Sequence, residues 1–584
     1  MMDRTVEAGP LLDVADLTVT VGGTRHPRAV VDGLSFSLQR GETLCLAGES
    51  GSGKSVTSLA IMGLLPRPAT RLAAGSIRLA GQELTQLAEP QMQAIRGARI
   101  AMIFQEPMTS LNPVLTIGRQ LTETVLAHRG VPAAEARRMA ISALDAVRIP
   151  RAAERMGAYP HEMSGGQRQR VMIAMALMLR PDVLIADEPT TALDVTVQAQ
   201  VLDLLRELQS DLGTAILLIT HDMGVVAQMG ARVVVMRHGR KVEENTTAAF
   251  FRAQETAYAR DLLAAVPRIG AGPGHQPTRQ LAPAAPVLDV RGLTVSYPGQ
   301  SGLLIRKASP VQAVKGVSFQ VAAGETFSLV GESGCGKSTT ARALMGLVPF
   351  GGEVILAGAP LSGRDAASAR QARRDLSMIF QDPYASLDPR MTAGDLVREP
   401  LDIHRIGTLP ERRDRVADLF ARVGLPQDAM GRYPHEFSGG QRQRLAIARA
   451  LALRPRLIVA DESVSALDVS VKARVLDLLR VLQAEFGIAY LFISHDMAVV
   501  ENISDRVAVM LNGRIVETAP RDVLFNDPRH PYTQRLIEAV PVPDPAARPR
   551  RRHGGAAPAG GELPTPSGAL AEIAPGHWVA GAAA

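Results

Sequence analysis

Two lysines, each the seventh residue of a glycine-spaced octapeptide, mark where this chain can hold phosphate. Gly48-Glu49-Ser50-Gly51-Ser52-Gly53-Lys54-Ser55 and Gly331-Glu332-Ser333-Gly334-Cys335-Gly336-Lys337-Ser338 share the spacing Gly-x-x-x-x-Gly-Lys-Ser. Glycines there let backbone N–H groups turn inward with no Cβ in the way. Those groups, a helix N-terminus and the lysine hold the β- and γ-phosphates of a nucleotide, and the serine hydroxyl reaches Mg2+. The candidates are Gly48, Ser50, Gly51, Gly53, Lys54 and Ser55 in the first copy, and Gly331, Ser333, Gly334, Gly336, Lys337 and Ser338 in the second. One copy alone is a weak signal. Two copies, each after an apolar run and before a helical one, are a strong signal.

Two carboxylate pairs supply the next piece. Asp187 and Asp461 end the apolar runs Val183 to Ala186 and Leu457 to Ala460, where an aspartate can hold a magnesium shell. Glu188 and Glu462 follow directly, the position of a general base that orients an attacking water. The bland reading, an acidic pair closing a strand at the surface, is outweighed by the phosphate loops.

These residues belong to a longer ordered repeat. Phe104-Gln105, Ser164-Gly165-Gly166-Gln167, Ala192-Leu193-Asp194 and Thr220-His221-Asp222 return as Phe380-Gln381, Ser438-Gly439-Gly440-Gln441, Ala466-Leu467-Asp468 and Ser494-His495-Asp496. The lysines are 283 positions apart, but Ser164 and Ser438, Glu188 and Glu462, and His221 and His495 are each 274 apart. The copies therefore differ in loop length before the serine motif and keep register after it. A repeat this long means two whole domains, not a solenoid.

The elements that must position these groups follow from the pattern. Leu44 to Ala47 reads as a buried strand entering the first loop, and Val56 to Leu64 as the helix leaving it. Val183 to Ala186, Ala215 to Ile219, Leu457 to Ala460 and Ala489 to Ile493 are continuous apolar runs, the mark of strands covered on both faces. The expected fold class is α/β. The expected boundaries are a tail at 1–10, a first domain at 11–267, a Gly/Pro-rich linker at 268–286, a second domain at 287–540 and a structureless tail at 541–584.

Composition sets limits. The 584 residues are 46% apolar and 21% charged, ordinary for globular domains. Sixty-four Lys and Arg against 58 Asp and Glu give +6, a weak bias that is concentrated in the tail at Arg548, Arg550, Arg551 and Arg552. It reads as a solvated basic segment, with a lipid-headgroup or nucleic-acid patch as the lesser reading. Two cysteines in different halves, Cys45 and Cys335, argue against a disulfide framework and a cysteine metal site and fit a reducing compartment. No apolar stretch reaches the roughly 20 residues of a spanning helix. Cys335 lies inside the second phosphate loop. It reads either as a small residue in a variable slot or as a thiol activated by the helix N-terminus.

The order of phosphate loop, glutamine, Ser-Gly-Gly-Gln, Asp-Glu, Ala-Leu-Asp and histidine resembles the ATP-binding cassette of ABC proteins over nearly all of residues 11 to 540. The resemblance implies two tandem cassettes. Each has a mostly parallel core sheet, an antiparallel β subdomain and a helical subdomain, binds ATP with Mg2+ and hydrolyses it. It places Ser55, Gln105 and Asp187, and Ser338, Gln381 and Asp461, around the metal. Glu188, Glu462, His221 and His495 become catalytic, the histidines facing the γ-phosphate. Ser164, Gly165, Gly166 and Gln167, and Ser438, Gly439, Gly440 and Gln441, become signatures that cap the γ-phosphate bound by the other domain. Such residues at a helix start make an anion site. Asp194 and Asp468 line the nucleotide. An aromatic residue upstream of the loop stacks on adenine. Tyr297 fills that slot in the second half and Val21 in the first, unless another ring or His26 substitutes. Departures are Met163 and Phe437 before the signatures, and Ser463 where the first half has Pro189.

Phe104 to Pro113, Phe380 to Pro389 and His530-Pro531-Tyr532-Thr533-Gln534-Arg535-Leu536 are similar to the ATPases of oligopeptide and dipeptide importers, here both fused in one chain as in the glutathione- and microcin-type members. The first half carries a worn version, Thr256 to Leu262. The resemblance implies a peripheral ATPase on the cytoplasmic face of a bacterial inner membrane. Its partners would be two permease subunits and a periplasmic binding protein, with the two ATPase domains pairing within one chain. No nucleic acid and no iron–sulfur centre are expected. The alternative is a soluble tandem ATPase acting on ribosomes or nucleic acid. Those of the translation type carry a long charged linker, whereas residues 268–286 are short and rich in Gly and Pro.

Overall fold

The computed structural model describes residues 9–22, 27–105, 110–190, 193–270, 285–298, 310–362, 366–465, 467–547 and 569–581. His26 and most of the linker and tail segments lie outside them. The chain divides into two compact units. The first comprises Met1–Leu193, Val197–Val266 and Pro541–His553; the second comprises Asp194–Thr196, Pro267–Val540 and Gly554–Ala584.

In the first unit a six-stranded sheet carries the chemistry. Its parallel part runs Arg232–Arg237, Thr43–Ala47, Ala215–Thr220, Val183–Asp187, Ile100–Ile103, and Arg240–Thr246 adds an antiparallel edge. Every residue of Thr43–Ala47, Val183–Asp187 and Ala215–Thr220 is buried, which is why these runs are apolar without alternation. Helices cover one face in a core that includes Ile173, Leu184, Leu218 and Val226. Against the other face lies an antiparallel sheet in the order Arg28–Leu38, Leu12–Val21, Thr70–Leu79, Gln82–Glu83. Its strands alternate buried and exposed positions and pack Leu12, Val14, Val19 and Ile77 onto Leu44 and Leu46. Helices Ile117–His128, Ala133–Ala146 and Gly165–Leu177 form the helical subdomain.

The second unit repeats this plan. Leu376–Ile379, Leu457–Asp461, Ala489–Ser494, Thr326–Val330 and Arg506–Leu511 are parallel in that order, and Arg514–Pro520 follows antiparallel. The second β subdomain runs Val311–Val321, Leu288–Tyr297, Gly351–Leu356, Ala359–Pro360.

One expectation is corrected. Residues 541–584 are not structureless throughout: Leu570–Ala574 and His577–Ala580 form a hairpin that extends the second sheet beyond Arg514–Pro520. Gly576, at φ +73°, makes its turn. His577 is 2% exposed and its Nε2 lies 2.8 Å from Oε1 of the fully buried Glu517. That nonlocal polar contact joins the backbone pairing and the burial of Val579 and Ala580 in holding the hairpin.

Candidate functional site

The strand Thr43–Ala47 delivers the chain to Gly48, and helix Lys54–Ile61 takes it away, beginning two residues earlier than the apolar pattern predicts. Between them the backbone turns inward. Gly48 has φ +146°, and a Cβ there would stand 2.3 Å from the Met236 carbonyl oxygen. Gly53 has φ +101°, and a Cβ would meet the Val30 carbonyl oxygen at 2.7 Å. No other residue fits either place. Lys54 is buried and its ammonium donates to the carbonyls of Gly48 and Glu49 at 2.7 and 2.8 Å. In the second unit Lys337 does the same with Gly331 and Glu332 at 2.7 and 2.9 Å. Both lysines are thus stored within reach of the loop they serve.

The serine and aspartate meet across the sheet. Ser55 Oγ donates to Asp187 Oδ1 at 3.1 Å, and Ser338 Oγ to Asp461 Oδ1 at 3.0 Å. Ser58 adds a donor to Asp187 Oδ2 at 3.4 Å, a contact the motif does not announce. Burial pushes the Asp187 carboxyl up to about 6; the Ser55 hydrogen bond opposes the rise and the charge of Glu188 adds to it. Burial raises Asp461 in the same direction.

Each glutamate is gripped at both oxygens. Gln105 Nε2 donates to Glu188 Oε2 at 2.8 Å, and His221 Nδ1 lies 3.0 Å from Oε1. In the second unit Gln381 donates to Glu462 at 2.7 Å, and His495 Nδ1 stands 3.4 Å away. Burial works upward on Glu462, yet the hydrogen bond and charge of His495 hold its carboxyl below the usual range. Glu188 and Glu462 have φ +47° and +45°, left-handed conformations that cost a non-glycine residue about 1–3 kcal/mol. Their amides are tied down by hydrogen bonds to Ile219 and Ile493 carbonyls, both 2.9 Å. Two independent copies of the same strained glutamate point to chemistry.

The Thr/Ser-His-Asp motif has a local logic. The Asp222 amide donates to Thr220 Oγ1 at 3.0 Å, and the Asp222 carboxylate caps helix Met223–Met229 through Gly224 and Val225 amides. The intervening His221 is left on the turn, aimed at Glu188.

The signature serines each cap a helix. Ser164 Oγ accepts from the Gln167 amide at 3.3 Å while Gln167 Oε1 accepts from the Ser164 amide at 3.2 Å; Ser438 and Gln441 repeat this at 3.4 and 3.0 Å. Gly165 and Gly439 have open space beside them, whereas a Cβ on Gly166 or Gly440 would stand 2.6 Å from Val197 or 2.5 Å from Val471. Sequence reasoning gave Gln169 no role. It is 1% exposed and donates to the Pro189 carbonyl at 2.5 Å, tying the signature helix to the turn after Glu188. Its counterpart Gln443 has a buried amide nitrogen with no hydrogen-bond partner, and so does the Ser463 hydroxyl.

The remaining candidates are placed as follows. Asp194 and Asp468 stand immediately before helices Val195–Leu212 and Val469–Phe486. Tyr297 and Val21 each end the first strand of their β subdomains, paired with Val311 and Arg28 respectively. Ser50 and Ser333 lie at exposed loop positions. Cys335 is 5% exposed with Sγ 3.8 Å from Lys337 Nζ, and burial pushes its thiol up despite that lysine. Both observations favour a small buried residue over an activated thiol.

Among the described residues no cluster of three or more His, Cys, Asp and Glu is gathered for a metal, and no helix is long and apolar enough to cross a membrane. The oxygen pairs Ser55–Asp187 and Ser338–Asp461 fit Mg2+, which takes one or two protein ligands and completes its shell with water and phosphate oxygens.

Comparison with known proteins agrees with this geometry. Residues 31–191 and 314–465 match the family model described as ABC transporter, and residues 516–568 match the C-terminal region of oligopeptide/dipeptide transporters. The chain is 52% identical over 575 residues to the glutathione import ATP-binding protein GsiA of Escherichia coli O157:H7, covering 94% of this chain and 92% of that one. It is 49% identical over 611 residues to GsiA of Salmonella paratyphi A, covering 98% and 97%.

Proposed function

Because the chain belongs to the ABC transporter family and is its ATP-hydrolysing import subunit, we propose that its two units form two composite sites that drive uptake of a glutathione-like or other short peptide. The observation that carries the two-site hydrolysis is the doubled clasp of Glu188 by Gln105 and His221, and of Glu462 by Gln381 and His495; the peptide-type cargo is supported by the oligopeptide/dipeptide C-terminal region and the likeness to GsiA. Neither unit lacks a reacting group.

In each site the loop amides and lysine bind the β- and γ-phosphates. Lys54 or Lys337 exchanges its loop carbonyls for phosphate oxygens as the nucleotide enters. Glu188 or Glu462 orients the attacking water and takes its proton, its carboxylate held still by the glutamine and histidine. Ser55 and Asp187, with the amide oxygen of Gln105, would hold Mg2+, as would Ser338, Asp461 and Gln381. When bound, that ion neutralises charge on the β- and γ-phosphate oxygens. Ser438 to Gln441 complete the site of Lys54, and Ser164 to Gln167 that of Lys337, when ATP brings the units together. Asp194 and Asp468 lie along the nucleotide, and Tyr297 stacks on adenine.

Two permease subunits at the cytoplasmic face of a bacterial inner membrane and a periplasmic binding protein would complete the transporter. Uptake of labelled glutathione and of dipeptides in cells expressing the chain with its neighbouring permease genes tests the substrate. Uptake that is unchanged by Glu188→Gln/Glu462→Gln would overturn the reading. Pairing is tested with the same double variant: with ATP it should remain a one-chain particle in light scattering, because the linker holds the units at an effective concentration of order millimolar.

A further inference from the structure

Glu332, the second residue of the second phosphate loop, is held at both ends of its backbone. Its carbonyl accepts from Lys337 Nζ at 2.9 Å, and its amide donates to the hydroxyl of Tyr532 at 3.0 Å. Tyr532 belongs to the motif His530-Pro531-Tyr532-Thr533 and is 1% exposed. The preceding Gly331 is fixed by its crowding against Met510, where a Cβ would stand 2.2 Å from the carbonyl oxygen. The lysine contact is temporary, since Lys337 leaves the loop carbonyls when it turns to a phosphate. The Tyr532 hydroxyl holds the Glu332 amide rather than the carbonyls that Lys337 gives up. It then becomes the contact that keeps the Glu332 peptide from rotating.

Helix Pro531–Glu538 presents Tyr532, and the segment before the helix is anchored by one carboxylate. Glu517 Oε1 accepts from the Arg529 amide at 2.8 Å and Oε2 from the His530 amide at 3.0 Å. The same Oε1 takes His577 Nε2 of the C-terminal hairpin at 2.8 Å. An unbroken series of contacts therefore runs from the hairpin, through Glu517 and the 529–530 segment, to Tyr532 and the phosphate loop.

We propose that Tyr532 is a positioning residue of the second ATP site, and that the Glu517–His577 contact keeps it in place, so that the C-terminal hairpin is part of the nucleotide machinery. The proposal rests on the reading of Gly331 to Ser338 as an ATP site. It is tested in the full chain carrying Lys54→Ala, where nucleotide binding reports the second loop. If that parent binds no MgATP, the site reading fails, and with it the ground for the proposal. If it binds, Tyr532→Phe should raise the Kd for MgATP about two- to tenfold, the worth of one net hydrogen bond, with KM rising more than kcat falls. The unfolding midpoint should fall by no more than the loss of that one hydrogen bond, because the ring is retained. An unchanged Kd in Tyr532→Phe overturns the role of Tyr532. His577→Ala should weaken MgATP in the same direction. A lowered unfolding midpoint with unchanged Kd in that variant overturns the contribution of the hairpin.

Discussion

His221 Nδ1 stands 3.0 Å from Glu188 Oε1. The two residues lie on neighbouring strand ends and act on one carboxylate, so their losses should not be independent. With the second site silenced by Lys337→Ala, Glu188→Gln should lower the remaining ATP turnover about 10²–10⁴-fold while leaving ATP binding intact. His221→Ala should cost less. In the double variant the two losses should fall short of their sum, as expected for residues that work as a unit. Single-turnover rates on the four proteins decide it. Strict additivity would place His221 on the γ-phosphate independently of Glu188.

The adenine slots should differ. Tyr297→Ala should weaken nucleotide at its own site, and Val21→Tyr should tighten it at the other. Base–aromatic stacking in nucleic-acid binders is worth about 1–3 kcal/mol, which sets the scale. ATP titrations in Lys54→Ala and Lys337→Ala backgrounds separate the sites. An unchanged first-site affinity in Val21→Tyr would show that the strand end does not face the base.

Ser463→Ala should be neutral or stabilising. The Ser463 hydroxyl is buried without a hydrogen-bond partner, and such a group costs about 1–3 kcal/mol. Chemical denaturation of the second unit, followed through a local probe, should show a midpoint no lower than the parent. A clear loss of stability would mean that the hydroxyl has a partner in solution.

Cys335 should react slowly with thiol reagents in the folded protein. Its side chain is buried and its thiol is pushed up by that burial. The rate should rise only on unfolding. Fast modification of the native chain, absent in Cys335→Ser, would contradict this.

The cap of helix Pro531–Glu538 should weaken in acid. His530 Nδ1 accepts from the Tyr532 amide at 3.2 Å, which requires the neutral ring. Burial holds the His530 pKa below its ordinary value, with the charge of Glu517 opposing. Its contribution is therefore whole above the unfolded pKa of about 6.5 and is lost as pH falls through the lower folded value. Hydrogen exchange at the Tyr532 amide should accelerate in that window beyond the intrinsic pH effect, and less so in His530→Asn.

The strands that carry Asp187 and Asp461 were legible because a strand covered on both faces has no polar side to disguise it. The phosphate loops were legible because Gly48 and Gly53 are imposed by carbonyls that leave no room for a Cβ. The grip on Glu188 was not legible: Gln105, Glu188 and His221 are 83 and 33 positions apart, and only strand order brings them together. Gln169 stands two residues past the Ser164 to Gln167 motif, and its partner is a backbone carbonyl, which leaves no mark in the sequence. The hairpin at 570–580 was hidden by Ala, Gly and Pro around it, and it pairs with a strand some 60 residues away through Glu517. Of the two readings of Cys335, burial favours the small residue in a variable slot, and burial depends on tertiary packing that the loop sequence does not show.

The hairpin also settles a matter of solubility. In the first unit the outermost strand of the core sheet among the described residues is Arg-Lys-Val-Glu-Glu-Asn-Thr, residues 240–246, whose charges discourage another strand from pairing with it. The corresponding strand of the second unit reads Arg-Ile-Val-Glu-Thr-Ala-Pro, residues 514–520, with fewer charges, one of them the buried Glu517. His577–Ala580 covers it, and the border passes to Leu570–Ala574, a five-residue strand that carries the exposed Glu572. Proteolytic clipping of the last twenty residues, or a bulky fusion that displaces them, would bare an apolar edge and invite chains to stack. A purification tag on this protein belongs at its N-terminus.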